Sequence, residues 1–273
     1  MKSDRALAYA AFAVVCTVWG TTYLAIRVAV ETIPPMLLTS VRYLVAGGIL
    51  FAISRLRGDV LPTGRRVLAN LSLVGILMVA GGNFSVIWAE QWVPSGIAAL
   101  LVATSPFWAA IMEMRRAGGE RISLRKGGGM IVGFLGVAML VAPSGANGSF
   151  DRHVILGALA IQLGAVAWQY GTLRGKHHLG GVAPLMSSAL QMLVGGTVIG
   201  LIGLASGEVR RFALTPRTFA ALAYLTFFGS VLAYTSYVYA LKHMKTTTMS
   251  LYAYVNPLIA VLVGWLILSE KLT

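Results

Sequence analysis

The segment Trp88–Pro106 reads W-A-E-Q-W-V-P-S-G-I-A-A-L-L-V-A-T-S-P, and Tyr239–Pro257 reads Y-A-L-K-H-M-K-T-T-T-M-S-L-Y-A-Y-V-N-P. The two align without a gap at an offset of 151 residues. An aromatic-Ala pair closes one apolar run in each (Trp88-Ala89, Tyr239-Ala240). A polar break follows, then a small hydroxyl residue opens the next run (Ser95, Thr246), which reaches a polar residue before a proline (Ser105-Pro106, Asn256-Pro257). An acidic residue comes after each, Glu120 and Glu270, with one residue of gap. A unit repeated at this distance implies a chain built twice from one plan.

Outward from this repeat, the 273 residues are 57% hydrophobic and only 11% charged, with a mean hydropathy of +0.78. Soluble domains run roughly 45–50% apolar and about 25% charged, so the composition is that of a membrane protein. The formal charge of +13 would suggest nucleic acid in a soluble chain. Here the basic residues lie between apolar runs, and no basic helix or exposed aromatic platform supports nucleic-acid binding. The lone Cys16 can form no internal disulfide, and His153, His177, His178 and His243 fall in connecting segments, so no metal site within the bilayer is expected. The first apolar run, after Lys2 and Arg5, continues to about Val30, too long for the core of a signal peptide. It reads as a retained span.

A spanning helix needs about 20 mostly apolar residues. Nine runs qualify, at roughly 6–30, 34–54, 67–89, 94–114, 127–143, 154–173, 182–206, 217–240 and 246–268. Lipid tolerates only helices or closed barrels, and runs this long are helices. With the N-terminus placed in the cytoplasm, fifteen Lys and Arg fall inside against five outside, while Arg27 and Arg42 lie within spans. The positive-inside rule therefore puts the N-terminus in the cytoplasm. Trp19 and Trp168 hold comparable places in spans one and six, so each repeat is a five-helix block. Five is odd, and the second block must run inverted relative to the first. Inverted repeats of this kind place a substrate site near the midplane between the halves. The blocks divide at 1–147 and 148–273; the second reaches only four spans before Ser269–Thr273, so a tenth helix past Thr273 is expected.

V-W-G-T-T-Y at 18–23, V-R-Y-L at 41–44, the G-N-F…S-G-I-A-A-L-L…S-P stretch at 82–106, G-E-R-I-S at 119–123, Trp168, N-P at 256–257 and S-E-K-L-T at 269–273 resemble the EamA-type branch of the drug/metabolite transporter superfamily. The resemblance covers almost the whole chain. It implies an all-α polytopic protein with ten helices in two inverted halves around a central cavity, and export of amino acids or other small metabolites from a bacterial-type inner membrane. The aromatic-rich cavity helices look like those of YddG-type aromatic amino-acid exporters.

Polar residues at membrane depth are costly unless they face protein or water, which makes them candidates for function. Asn83 and Tyr234 are repeat equivalents; Thr104 and Ser105 precede one proline as Asn256 precedes the other; Gln162 lies on span six. A proline inside a span frees the carbonyl four residues earlier, and such a group beside a cavity can hold an ammonium or water. Together these residues could orient a zwitterion, or they could glue helices together at about 1 kcal/mol each. Trp19, Tyr23, Trp168, Tyr170, Tyr234, Tyr237 and Tyr252 could line a cavity for a ring-bearing substrate, against the competing interfacial-belt role that suits Trp88, Trp92 and Tyr239. The expected substrate-binding set is thus Trp19, Tyr23, Asn83, Thr104, Ser105, Gln162, Trp168, Tyr234, Tyr237, Tyr252 and Asn256.

Arg27, near a span end, can snorkel to the headgroups. Arg42 lies deeper and needs a partner; structural pairing is favoured over binding of a substrate carboxylate. Glu113 reads as a surface ion pair with Arg115 or Arg116, and Glu90 as an outer-surface residue. No Asp, Glu or His falls at mid-bilayer, where proton relays sit, which favours a facilitator or exchanger over a proton-coupled pump. Gly129 and Gly133 have the spacing of close helix contact. No G-x-S-x-G, H-E-x-x-H or paired Asp is present, so neither a catalytic set nor a cofactor is expected. The expected partners are a small-molecule substrate and the lipid bilayer; oligomeric state is open.

Overall fold

The computed structural model describes residues 2–119, 121–145 and 152–268. Among these the chain is helical rods joined by short turns: α1 (Lys2–Ala29), α2 (Pro35–Leu56), α3 (Arg65–Ala89), α4 (Ser95–Arg115), α5 (Leu124–Gly145), α6 (Arg152–His178), α7 (Pro184–Ala205), α8 (Pro216–His243), and α9 (Tyr252–Leu268) after a single turn at Thr246–Met249. Seven, α1 to α4 and α6 to α8, are long and apolar enough to cross a membrane. With α5 and α9 they account for the nine runs read from the sequence. The expected tenth helix and Ser269–Thr273 lie outside the described residues.

The fold shows an inside-out distribution of polarity. Leu44, Val132, Leu135, Met139, Leu163, Leu201, Phe227 and Phe228 are exposed, whereas Arg42, Tyr43, Tyr234 and Tyr237 are buried. An exposed apolar surface on this scale would drive aggregation in water and is the solvation expected in lipid. The protein is a polytopic, all-helical membrane protein.

Element boundaries follow from local chemistry. α2, α7 and α8 each open on a proline at the first helical position, where the missing N–H is harmless. Thr215 adds a reciprocal cap: its hydroxyl accepts from the Thr218 N–H (3.2 Å) while its own N–H donates to the Thr218 hydroxyl (3.0 Å). Just past α2 and α7 the chain turns at Gly58 (φ +83°) and Gly207 (φ +77°), a left-handed conformation that closes helices and favours glycine. α2 and α7 are therefore matching 22-residue rods with the same start and stop signals.

These two rods pack against each other antiparallel. A Cβ on Gly196 would meet Leu44 at 3.3 Å, one on Gly203 would meet Met36 at 2.9 Å, and one on Gly47 would meet the Ala189 carbonyl at 3.1 Å. Small residues let the backbones approach this closely. The spacing read at Gly129 and Gly133 is used only in part: Gly133 receives the Tyr254 ring (3.1 Å), while Gly129 has open space around it.

The repeat also appears as a shared irregularity. α3 widens into a π-helical stretch at Ile76–Asn83, and α8 does so at Leu225–Tyr234. The two stretches end 151 residues apart, on the repeat-equivalent pair Asn83 and Tyr234. Such stretches recur where a helix is bent for function.

Candidate functional site: two cavities and an aromatic partition

The widened stretch of α3 carries Gly82 and Asn83 toward α6. A Cβ at Gly82 would lie 2.9 Å from Cε3 of Trp168, so only glycine lets the indole sit this close to α3. Trp168 is thereby pushed into the centre of the bundle, 6% exposed, where it meets Trp19 edge-to-face with ring centroids 5.4 Å apart. Tyr237 lies 5.2 Å from Trp19 and 5.5 Å from Trp168, and Tyr252 lies 5.0 Å from Trp19. Tyr234 joins at 6.0 Å from Trp168. Five aromatic side chains from α1, α6, α8 and α9 thus form one layer, within the spacing at which edge-to-face rings attract.

Hydrogen bonds fix their polar tips. The Trp19 indole N–H donates to the Gly229 carbonyl (3.0 Å), inside the π stretch of α8. The Trp168 N–H donates to the Tyr237 hydroxyl (3.2 Å), which also bonds Thr172 (2.7 Å). The Tyr234 hydroxyl donates to Oε1 of Gln191 (2.8 Å), whose amide nitrogen donates to Ser187 (2.8 Å). The rings are held on both apolar and polar sides.

A cavity lies on each side of this layer. One, of about 80 Å³, is lined by Trp19, Thr22, Tyr23, Arg42, Asn83, Ser105, Trp168, Tyr252 and Asn256 together with small and aliphatic residues. The other, of about 360 Å³, is lined by Met78, Thr172, Lys176, His177, Ser187, Gln191, Tyr237 and neighbouring apolar residues. It lies toward the face bearing the ends of α6 and α8. Of the two, the second falls in the range of small-molecule sites, roughly 300–1,000 Å³; the first is the tighter.

The expected site residues separate into groups. Trp19, Tyr23, Asn83, Ser105, Trp168, Tyr252 and Asn256 line the first cavity, and Tyr237 lines the second. Tyr234 belongs to the partition. Asn256 also ties helices: its amide nitrogen meets the carbonyls of Cys16 (3.1 Å) and Tyr252 (3.0 Å), joining α9 to α1. Thr104 and Gln162 bond each other instead of facing either cavity. The Thr104 hydroxyl and the Trp108 indole both donate to Oε1 of Gln162 (3.0 and 3.1 Å), and its amide nitrogen donates to the Leu101 carbonyl (3.0 Å). Leu101 lies next to the break between the two parts of α4, Ser95–Val102 and Ser105–Arg115; its carbonyl also accepts from the Thr104 N–H (3.3 Å) and hydroxyl (2.7 Å), so Gln162 ties α6 to that break.

Several charged residues and the histidines are placed differently from the sequence reading. Glu90 is fully buried, not at the surface, and neither carboxylate oxygen has a hydrogen-bond partner. Burial pushes its carboxyl well above the usual carboxylate range, opposed by the positive charge of Arg27. The reason is local: α3 ends at Ala89, and Arg27 reaches across to donate to the Glu90 backbone carbonyl (2.5 Å). The Arg27 side chain itself is exposed. Glu113 does pair with Arg116 (3.0 Å), but its side chain is only 11% exposed. The four histidines lie on the terminal turns of α6 and α8, not in connecting segments. Arg42 is the lining residue that the sequence reading undervalued. Its depth was legible; its opening onto a cavity depended on the packing of α2 against α8.

Helices of this kind, enclosing paired cavities within an apolar shell, define a polytopic membrane transporter. The chain belongs to the EamA-like transporter family, which matches it at residues 6–142 and 155–273. It is 38% identical over 248 residues to the inner membrane transporter YedA of Escherichia coli K12, covering 90% of this chain and 78% of that one. A transporter of Archaeoglobus fulgidus is 25% identical over 268 residues, covering 96% of this chain and 90% of its own. The protein PagO of Salmonella typhimurium is 26% identical over 256 residues, covering 92% and 81%. A solved crystal structure superposes with a TM-score of 0.77 over 99% of this chain and 90% of that chain, at 18% identity, a likeness of fold alone.

Proposed function

We propose that the protein exports small amphipathic metabolites, aromatic amino acids foremost, across a bacterial-type inner membrane by alternating access. The observation that carries this reading is the pair of cavities separated by the Trp19–Trp168–Tyr237–Tyr252 layer. A substrate ring can replace one wall ring's contacts with its own, so passage through the layer exchanges like for like. Two inverted repeat units, 1–147 with five spans and 148–273 with four, rock about it. The excess of Lys and Arg on the N-terminal side supports a cytoplasmic N-terminus, with the larger cavity facing the cytoplasm. The lining of the first cavity includes no Asp, Glu or His, which supports a facilitator or exchanger.

Counterflow in proteoliposomes tests this. Vesicles loaded with unlabelled phenylalanine, tryptophan or threonine are expected to accumulate the labelled aromatic amino acid, with or without a pH gradient. Flux restricted to drugs or other metabolites would keep the fold's transport role and replace the substrate. No flux of any solute would overturn the proposal.

A further inference from the structure

Among the residues that line the first cavity, Arg42 alone carries a charge. It is 2% exposed. Its Nε donates to the Ser230 hydroxyl (2.7 Å), while Nη1 is buried with no hydrogen-bond partner. Its guanidinium carbon lies 4.9 Å from the ring of Tyr43, and Nη2 lies against Gly229, 2.8 Å from where a Cβ would be. Glycine at that position leaves room for the guanidinium beside the widened part of α8. Among the described residues no carboxylate forms an ion pair with it: Glu31 is paired with Arg217, Glu113 with Arg116, and Glu208 accepts from the Leu37 N–H.

Arginine stays charged in proteins, and a buried, uncompensated charge is strongly unfavourable unless a counter-charge or water meets it. A guanidinium on a cavity-lining side chain, with Nη1 unpartnered, matches a carboxylate, a group that arginine holds through charge-assisted bonds. The opposite need has no counterpart here: the same lining holds no acidic side chain to fix an ammonium. Arg42 and the aromatic rings therefore complement an organic acid, charged at one end and apolar at the other.

We infer that Arg42 is the carboxylate anchor of the transport site, and that the site selects monocarboxylates with an apolar or aromatic body, the amino group being dispensable. This rests on the transport reading above and narrows its substrate class.

The test uses purified full-length protein in detergent at constant ionic strength, with the thermal unfolding midpoint read against ligand concentration. The probes are 3-phenylpropionate, phenylalanine, phenylalaninamide and phenethylamine. The two acids are expected to raise the midpoint at millimolar concentration; the amide and the amine are not. Arg42→Gln should weaken the acids by about tenfold or more, and Arg42→Lys by less. If Arg42→Gln does not fold, Arg42→Lys and the acid-against-amine comparison on the unaltered protein decide the matter.

Equal stabilisation by phenethylamine and 3-phenylpropionate would overturn the assignment, as would an undiminished acid response in Arg42→Gln. Stabilisation by chloride or phosphate alone to the same extent would overturn the selection for carboxylates. No response to either acid would overturn it as well. Counterflow with the same probes separates the two readings. Acid binding without flux leaves the Arg42 site standing and removes the transport role, whereas flux of the amine alone keeps transport and removes the anchor.

Discussion

The two copies of the repeated segment agree at one irregularity and diverge at another. The π-helical stretches of α3 and α8 end on equivalent residues, Asn83 and Tyr234. The next rods begin at equivalent residues too, Ser95 and Thr246, and both are interrupted. In α4 the interruption falls at Ala103–Thr104, with Pro106 at the start of the following helix. In the second copy it falls earlier, at Ser250–Leu251 between the turn at Thr246–Met249 and α9, and Pro257 is left inside α9. A shared irregularity preserved while the residues around it differ points to a bend that the architecture requires. The displaced break leaves one proline at a helix start and the other inside a helix.

Removing the partition is the most severe way to break this comparison. Trp168 packs on Trp19, Tyr234 and Tyr237 and fills the space that Gly82 leaves open. Trp168→Ala is expected to cost about 3–5 kcal/mol, the range for truncating a large buried aromatic, and to join the two cavities. Thermal unfolding checks the first effect. The second appears as passive leak of a small fluorescent solute from proteoliposomes, and tight vesicles holding the variant would show that the layer is not the barrier.

The two prolines come next. Pro257 removes a hydrogen bond from the interior of α9, a cost of about 3 kcal/mol in an ordinary helix interior. Pro106 sits at a helix start, where proline costs little. Pro257→Ala should therefore stabilise the protein by up to about 3 kcal/mol and slow exchange across the membrane, while Pro106→Ala changes either by under about 1 kcal/mol. Equal effects of the two substitutions would show that the displaced break has no mechanical consequence.

Much of this was legible in the sequence because the signals were long and periodic. Nine apolar runs and the offset of the repeat both survive in the structure. The aromatic members of the site were legible for the same reason: Trp19 and Trp168 stood deep in equivalent spans. For Thr104 and Gln162 the sequence leaves two roles open, because a polar residue in a span serves backbone and substrate with the same atoms. The structure adds their bonds to each other and to the break in α4. Glu90 was misjudged because its burial depends on Arg27, 63 residues away in the chain. Neither π stretch leaves a mark in composition, since their lengths come from packing across the bundle.

Tyr234→Phe sharpens the comparison on a smaller scale, because its equivalent Asn83 opens onto the cavity whereas Tyr234 is buried. Losing the phenol removes the 2.8 Å bond to Gln191 and leaves a buried amide oxygen unpaired, a cost of about 1–3 kcal/mol. Asn83→Ala, at the cavity wall, is expected to change stability by less than about 1 kcal/mol and to act on flux. Unfolding midpoints of the two variants, set beside their counterflow rates, check the assignment of one residue to the partition and the other to the site.

The smallest effect belongs to Glu90 and depends on pH. Its carboxyl titrates well above the ordinary range in the folded protein because burial disfavours the charge, whereas in the unfolded chain it titrates near about 4.3. The folded state therefore holds the extra proton, and stability is lost as pH rises from the unfolded value through the folded one. Glu90→Gln removes a charge that the fold does not pair, so the variant should lose less stability than the unaltered protein between pH of about 5 and about 8. At the acid end, where both side chains are neutral and nearly isosteric, the two should unfold together. Unfolding midpoints measured across that range decide it: parallel curves would mean that the Glu90 carboxylate finds a partner in the folded protein, with Arg27 close enough across the turn to be that partner.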